Sequence, residues 1–285
     1  MTVVDNEKER AFWNGAGGET WVRAQAQLDH MLAPLLEALL AAAAPKPGER
    51  VLDLGCGCGA SSLAAAESGA EVVGLDFSAP MIALAERRAQ ATPTLALRFV
   101  CEDATKAAFP TPFDHLISRF GGMFFADPVA AYGKLRGDLL SGGRLTMLVW
   151  QAPKQNPWMS VVGQAVAPFL PPPAGGAPDP RAPGPFAFAD PAYVTDVLEA
   201  AGWEGISLSP VERPLHLANT MEEALALQSQ VGPLARVLRE LEDSAREAAL
   251  AAAREALAPH FTAEGLVLGA ACHLVEARAP LAGRP

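Results

Sequence analysis

Between residues 50 and 150, five short β-rich runs alternate with helical segments, and no other feature limits the possible folds as strongly. Val51-Leu52-Asp53-Leu54 begins the series as a buried strand, followed by a glycine-rich turn and a small-residue helix through Ser61–Ala66. Glu71–Asp76, Leu95–Cys101, Phe113–Ser118 and Arg144–Trp150 read as four more strands. Between them, Ser78 and Pro80 open a helix that carries Met81, Leu84, Ala85 and Arg88 on one face. Asp127-Pro128 opens another as an N-cap and first helical residue. Strands separated by helices lie parallel, because each crossover returns the chain to the same end of the sheet. The expectation is an α/β fold, a doubly wound, mostly parallel seven-stranded sheet with a helical cap. Such a sheet binds its ligand at the carboxyl ends of the strands, where the strand order reverses.

The character changes after Trp150. Eight of the eighteen residues from Pro168 to Pro185 are proline, which predicts an irregular surface connection. A helix is expected over Pro191–Ala201, a sixth strand over Ile206–Val211, helical segments over Met221–Leu241 and Asp243–Ala258, and a last strand over Leu266–Ala277. The stretch between the last two strands exceeds what a connection needs and is read as a cap over the strand ends. A helix around Leu28–Ala44, with Trp13 and Trp21 before it, is expected over the same face.

Composition removes several classes of function. The 285 residues include 22 Lys and Arg against 32 Asp and Glu, a net charge of −10, with no basic run, so nucleic acid is not an expected partner. Met31–Ala44 is interrupted by Pro34 and Glu37 and is too short to span a bilayer. The polar start, Met1–Arg10, and the absence of a disulfide framework among Cys56, Cys58, Cys101 and Cys272 lead to the expectation of a soluble, cytoplasmic protein.

The chemistry is concentrated in Asp53-Leu54-Gly55-Cys56-Gly57-Cys58-Gly59-Ala60. Alternate glycines directly after a strand let the backbone turn tightly and approach a ligand with no Cβ in the way. A dinucleotide site would show a third glycine where Ala60 stands, and a phosphate-binding Walker loop would need Gly-Lys-Ser/Thr. Asp53, two residues before the first glycine, suits a cationic ammonium rather than a pyrophosphate. Asp76 ends the second strand, where a carboxylate can accept from a ribose diol. Asp103 follows the third strand and can accept from an exocyclic amine, while Ala104 offers a backbone N–H to a ring nitrogen.

These residues resemble the class I S-adenosylmethionine-dependent methyltransferases, in the ubiquinone/menaquinone methyltransferase-like small-molecule branch. The resemblance is carried by VLDLGCGCG (51–59), VVGLDFSAPMIALAERRA (72–89), FVCEDATKAAFP (99–110) and the segment 113–150, and is close from about residue 36 to 151. It implies a Rossmann-like methyltransferase fold, S-adenosylmethionine as cofactor and S-adenosylhomocysteine as product. By the same resemblance Asp53, Gly55, Cys56, Gly57 and Gly59 hold the methionine part and Asp76 the ribose. Phe77 and Met81 flank the adenine, and Asp103 and Ala104 bind it. Ser118, Arg119 and Phe120 line the methionine side, and Trp13–Gln25, with Trp21 and Gln25, forms a gate. The resulting organisation is a helical gate over 1–45, a cofactor core over 46–151, a Pro-rich connection over 152–189, the rest of the sheet over 190–213 and 265–280, and a cap over 214–264.

Displacement at a sulfonium needs alignment and exclusion of water more than a fixed catalytic group. The weak candidates for one are His115, Arg119, His216 and His260. His115 lies mid-strand, where a core histidine is the plainer reading. Arg119 either orients an anionic substrate group or cofactor carboxylate, or forms a salt bridge at the rim. His216 and His260 fall on the cap and His30 on a helix face, where surface roles are commoner. Cys56-x-Cys58 lacks a second ligand pair, so no metal is expected, and methylation of arsenic is disfavoured. The turn Ser118-Arg119-Phe120-Gly121-Gly122 lacks the Asn/Asp-Pro-Pro-aromatic pattern of enzymes that methylate exocyclic amines of DNA. The expected acceptor is a small apolar or aromatic metabolite, with Phe120, Met123, Phe124, Phe169, Phe186 and Phe188 supplying apolar surface and half or more of them in the core. A fold relative that binds S-adenosylmethionine without transferring methyl, and an NAD-dependent oxidoreductase, are the alternatives. Assembly is expected as a monomer or homodimer.

Overall fold

The alternating segments form one sheet. In the computed structural model, which describes residues 6–170 and 179–282, β1 (Arg50–Leu54), β2 (Glu71–Asp76), β3 (Leu97–Cys101), β4 (Phe113–Arg119) and β5 (Leu139–Trp150) run parallel. β6 (Glu204–Ala218), β7 (Phe261–Thr262) and β8 (Gly265–Arg278) complete the sheet in the order β3-β2-β1-β4-β5-β8-β6, with β7 paired to β8. β8 runs antiparallel to β5 and to β6. Periodicity predicts seven strands; the eighth is the two-residue β7, too short to carry a hydrophobic period. The order reverses between β1 and β4, which places the ligand crevice beside the end of β1.

Both faces of the sheet are covered, which explains why β1 is an almost unbroken apolar run. Leu52, Leu54 and Leu116 enter one layer, while Val51 and Ile117 enter the other with Ala65, Ala66 and Val72. The helices are α1 (Glu7–Asn14), α2 (Ala16–Ala43), α3 (Ala60–Ala66), α4 (Ala79–Gln90), α5 (Pro128–Gly137), α6 (Pro157–Val166), α7 (Pro191–Ala200), α8 (Met221–Gln228), α9 (Pro233–Glu240) and α10 (Asp243–Leu257). α2 buries Leu28, Met31, Leu32, Leu35 and Leu39 at 2% exposure or less. Burial of this kind stabilises by about 1.5–3 kcal/mol per side chain. No described helix is long and apolar enough to cross a membrane.

Several boundaries differ from the sequence reading. α2 begins at Ala16 rather than near Leu28 and continues through Pro34. Gly17-Gly18 has poor helix propensity, but a Cβ at Gly18 would lie 2.0 Å from the Trp13 carbonyl oxygen and 2.8 Å from Ser78 Oγ. The glycine is there for close packing. The segment read as one helix over Met221–Leu241 breaks into α8 and α9 at Gly232, whose φ is +88°, followed by Pro233. The Pro-rich connection contains α6, and its residues 171–178 lie outside the described residues, as do 1–5 of the gate. β6 runs to Ala218, so Pro214–Ala218 belongs to the sheet rather than the cap.

α6 is fastened through a buried asparagine. Asn156 Nδ2 donates to the carbonyls of Gln151 and Ala271 at 3.0 and 3.1 Å, and Oδ1 accepts from Ala271 N–H at 2.9 Å and Trp158 Nε1 at 3.3 Å. This fixes Trp158 over the end of β5.

Candidate active site

The loop after β1 is held from below by β2. The amides of Gly55 and Cys56 both donate to Leu75 O, at 2.8 and 3.2 Å. Gly57 N–H donates to Asp76 Oδ2 at 2.9 Å and Ser78 N–H to Oδ1 at 2.8 Å. Gly55 has φ +63°, and a Cβ on it would stand 2.5 Å from Gly121 Cα, so the loop after β4 packs backbone to backbone against it. Gly57 has φ +53°, and its Cβ direction meets only Met81 Sδ at 3.7 Å, which leaves the side facing the cavity open to a ligand. Arg88 donates to Cys58 O at 2.7 Å and pairs with Asp29 at 2.7 Å, while Gln25 Nε2 donates to the same Asp29 at 2.5 Å. The glycine loop is thereby tied to α2.

Asp53 lies one layer beneath. Its Oδ2 accepts from Ser61 Oγ at 2.7 Å and Ser62 Oγ at 2.5 Å, while Oδ1 has no partner. Burial raises the Asp53 pKa to about 6, and the two hydroxyls and Arg119 moderate the rise. Burial also raises the Asp76 pKa, against the amides that favour its anion. Arg119 is half-buried, with Nη1 shielded from solvent and unpartnered. Burial lowers its pKa, the fields of Asp29 and Asp53 raise it, and Arg88 opposes them. Among the described residues Arg119 forms no ion pair, so the rim salt bridge is corrected to a half-buried guanidinium whose Nη1 has no partner. Its free donor, Asp53 Oδ1 and the unpartnered Gln25 Oε1 surround the loop with leftover capacity of both signs. Buried polar atoms without partners are uncommon in folded proteins, and this set suits a zwitterionic ligand end.

A cavity of about 740 Å³ opens over these residues. Of the residues singled out in the sequence, it brings together Trp21, Gln25, Gly55, Cys56, Gly57, Asp76, Phe77, Met81, Ala104, Arg119 and Phe120. Gly59, Asp53, Asp103 and Ser118 do not line it and instead support its wall. Asp103 Oδ1 accepts from Thr105 N–H and Oγ1 at 2.9 and 2.7 Å, and Glu102, passed over in the sequence, lines the cavity instead. Ser118 Oγ donates to Leu54 O at 2.8 Å, joining the ends of β4 and β1. Burial pushes the Cys56 thiol upward and the Cys58 thiol to about 12, so neither is a ready nucleophile.

None of the three candidate histidines lines the cavity. His115 is fully buried with Nε2 2.9 Å from Thr146 Oγ1, and burial lowers its pKa to about 3, so it stays neutral. His216 Nε2 lies 3.0 Å from Glu264 O, and its ring packs on His30. His260 belongs to the turn after α10.

α1 is pinned at both ends. Asn6 Oδ1 accepts from Ala126 N–H at 2.7 Å, beyond β4. Asn14 Nδ2 donates to Phe77 O at 2.9 Å, and Asn14 Oδ1 accepts from Ala79 N–H at 3.0 Å, capping α4 from another helix. Ser78, expected to cap α4, donates to Trp13 O at 2.6 Å instead. Opposite the gate, Phe120 holds φ +66° and stacks on Trp150 at 3.9 Å with 7° between planes, and Trp158 follows at 5.1 Å. Met123, Phe124 and Phe186 also line the cavity, whereas Phe188 is core and Phe169 packs against the core. Sequence reasoning missed Glu9 of α1 and Arg236 and Arg239 of α9, which line the cavity only because those helices fold over it.

Residues 51–143 match the family model described as a methyltransferase domain. A demethylmenaquinone methyltransferase of Thermus thermophilus is 41% identical over 131 residues, which cover 44% of this chain and 59% of that one, less than two thirds of its length. The demethylmenaquinone methyltransferase of Beutenbergia cavernae is 35% identical over 59% of this chain and 71% of its own. The nocamycin O-methyltransferase of Saccharothrix syringae is 32% identical over 77% of this chain and 81% of its own. The YcgJ protein of Bacillus subtilis shares the fold, with a TM-score of 0.57 at 16% identity over 87% of this chain and 99% of that one.

Proposed function

The chain belongs to the class I S-adenosylmethionine-dependent methyltransferases, in the quinone methyltransferase-like branch, and from that premise we propose methyl transfer to a small apolar or aromatic acceptor. The observation that carries the acceptor class is the continuity of one cavity. It runs from the glycine loop, Asp76 and Arg119 to the aromatic wall of Trp150, Trp158 and Phe186. When bound, S-adenosylmethionine supplies a methyl group already activated on a sulfonium. In this reading Arg119 would hold its carboxylate, Asp53 would supply the counter-charge for its ammonium from beneath the glycine loop, and Asp76 would hold the ribose hydroxyls. Phe77 and Met81 flank the adenine, and the Ala104 amide donates to it.

The chain's own contribution to the displacement is alignment. The Phe120–Trp150 stack forms a flat wall beside the loop, against which an aromatic acceptor presents its nucleophilic atom in line with the breaking C–S bond. The gate helix covers the opposite side and excludes water. No histidine or lysine lines the cavity among the described residues, so no side chain is assigned as general base. Binding of the cofactor without transfer is the less favoured reading, since the named curated relatives described above are methyltransferases.

Incubation with methyl-labelled S-adenosylmethionine and a pool of small apolar and aromatic metabolites is expected to label one of them by mass spectrometry. S-adenosylhomocysteine binding without any labelled product would count against transfer to this class. Asp76→Ala is expected to weaken cofactor binding by about 1–3 kcal/mol in calorimetry through lost charged hydrogen bonds, and unchanged affinity would remove the ribose assignment.

The pH dependence has a definite sign. The pKa of Asp53 is raised on folding from 3.8 to about 6. The folded chain therefore binds the extra proton between those values, and the stability of the ligand-free protein falls as pH rises through that window, by at most about 3 kcal/mol. A ligand ammonium above the loop favours the Asp53 anion through its field, so cofactor affinity is expected to rise as pH increases through about 6. Calorimetry from acid to neutral pH checks this, and a flat profile would exclude Asp53 as the ammonium partner.

A further inference from the structure

We propose that the acceptor carries an acid group and that Arg236 and Arg239 hold that group at the rim of the cavity. The inference rests on the methyltransferase reading and narrows its substrate class. The chain has a net charge of −10, yet the acceptor half of its cavity contains no lysine or histidine and two arginines, both supplied by α9. They lie three residues apart on the helix and are both exposed, so they share one outward edge, while Leu234 and Val237 pack in the core and Ala235 and Val237 also line the cavity.

The helix is held in position over the cavity. It begins at the positive-φ Gly232, and Pro233 packs so closely on α6 that a Cβ at Gly163 would be 3.3 Å from Pro233 Cγ. Neither arginine is engaged in a strong pair. Arg236 reaches Glu240 Oε1 through Nε only, at 3.5 Å between exposed side chains, an arrangement that contributes little. Arg239 forms no ion pair among the described residues. The remaining cation of the cavity, Arg119, lies at the glycine loop, where the cofactor carboxylate answers it.

The acids that line the cavity are Glu9, Asp76 and Glu102. Asp76 and Glu102 stand at the ends of β2 and beyond β3, on the cofactor side. Glu9 belongs to α1, is half-buried, and forms no ion pair with either arginine among the described residues. Two guanidinium groups at the mouth of an acidic protein would concentrate an anion there and orient it. An apolar acceptor with an acid at one end then enters with its body against Trp158 and Met159 and its acid outward. The acid marks the distal end of the molecule, away from the methylated atom.

The test uses two probes with the same ring system, 1-anilinonaphthalene-8-sulfonate and uncharged N-phenyl-1-naphthylamine. Fluorescence titration is made in saturating S-adenosylhomocysteine at about 0.15 M salt. The sulfonate is expected to bind about tenfold or more tighter than the neutral probe. The double variant Arg236→Gln/Arg239→Gln should lose that advantage and bind the neutral probe as the parent does. Equal binding of both probes to the parent, or equal weakening of both in the variant, would overturn the proposal. S-adenosylhomocysteine binding, followed by calorimetry in the same samples, separates the two readings. Intact binding without charge discrimination sinks the acid-bearing acceptor alone, and lost binding in the parent sinks the cofactor site beneath it.

Discussion

Replacing Arg119 with methionine is expected to abolish useful S-adenosylmethionine binding, by about a hundredfold or more in affinity, while the ligand-free protein stays as stable as the parent or gains stability. The two effects have one cause. Arg119 is half-buried, its inaccessible Nη1 has no partner, and the carboxylates that favour its charge, Asp29 and Asp53, form no ion pair with it within contact distance. Asp29 is already engaged by Arg88 and Gln25. An unpaired, half-buried charge is held at a cost, and an apolar side chain of similar length removes it, with a gain of up to about 1–4 kcal/mol. The ligand carboxylate that would satisfy the guanidinium then has no counter-charge, a loss of about 2–5 kcal/mol. Calorimetric titration and denaturant melts on the same variant read both quantities. A destabilised variant with unchanged cofactor affinity would make Arg119 a structural residue.

Gly55→Ala is expected to destroy the site by a different route. The added Cβ would stand 2.5 Å from the Cα of Gly121, and backbone on backbone cannot yield as a flexible side chain can. The residue also holds φ +63°, a conformation that costs an alanine about 1–2 kcal/mol. With the overlap, the destabilisation is about 2–5 kcal/mol. The strain falls where β1 and β4 hand their loops to the ligand, so cofactor affinity should drop with stability. Gly57→Ala separates the two. Its Cβ has open space beside it, so stability should fall by about 1–2 kcal/mol, the left-handed backbone alone, with the methyl group projecting towards the ligand. Equal melting of the Gly55→Ala variant and the parent would mean that the loop relaxes away from Gly121 freely.

The extent to which the sequence disclosed the site follows the range of each interaction. Asp76, Gly55, Gly57, Phe77 and Met81 were legible because strand ends and the turns after them are local, and the ligand crevice of a doubly wound sheet lies at those ends. Asp103, read as the adenine acceptor, supports the wall rather than lining the cavity. Its carboxylate closes a turn onto Thr105, and Glu102 faces the cavity. In a turn, the direction of successive side chains depends on backbone angles that composition does not report. Ser78 was correctly placed at the start of α4, but its hydroxyl serves Trp13 and the cap comes from Asn14. Those partners are more than sixty residues away in the chain.

By itself, then, the sequence determined the parallel α/β core, its strand ends and the glycine loop, since all three arise from periods of two and of 3.6 residues and from the φ angles only glycine accepts readily. The tertiary structure alone decided that α2 runs through Gly17-Gly18 and Pro34, where packing against Trp13 and Ser78 outweighs propensity. It decided that Arg119 is half-buried with Nη1 unpartnered rather than paired at the rim, because pairing is a matter of distance between strand and helix. It also decided that α9 turns Arg236 and Arg239 towards the cavity. A charge on a helix face looks the same in sequence whether that face meets water or a ligand, and only the packing of α9 on α6 distinguishes the two.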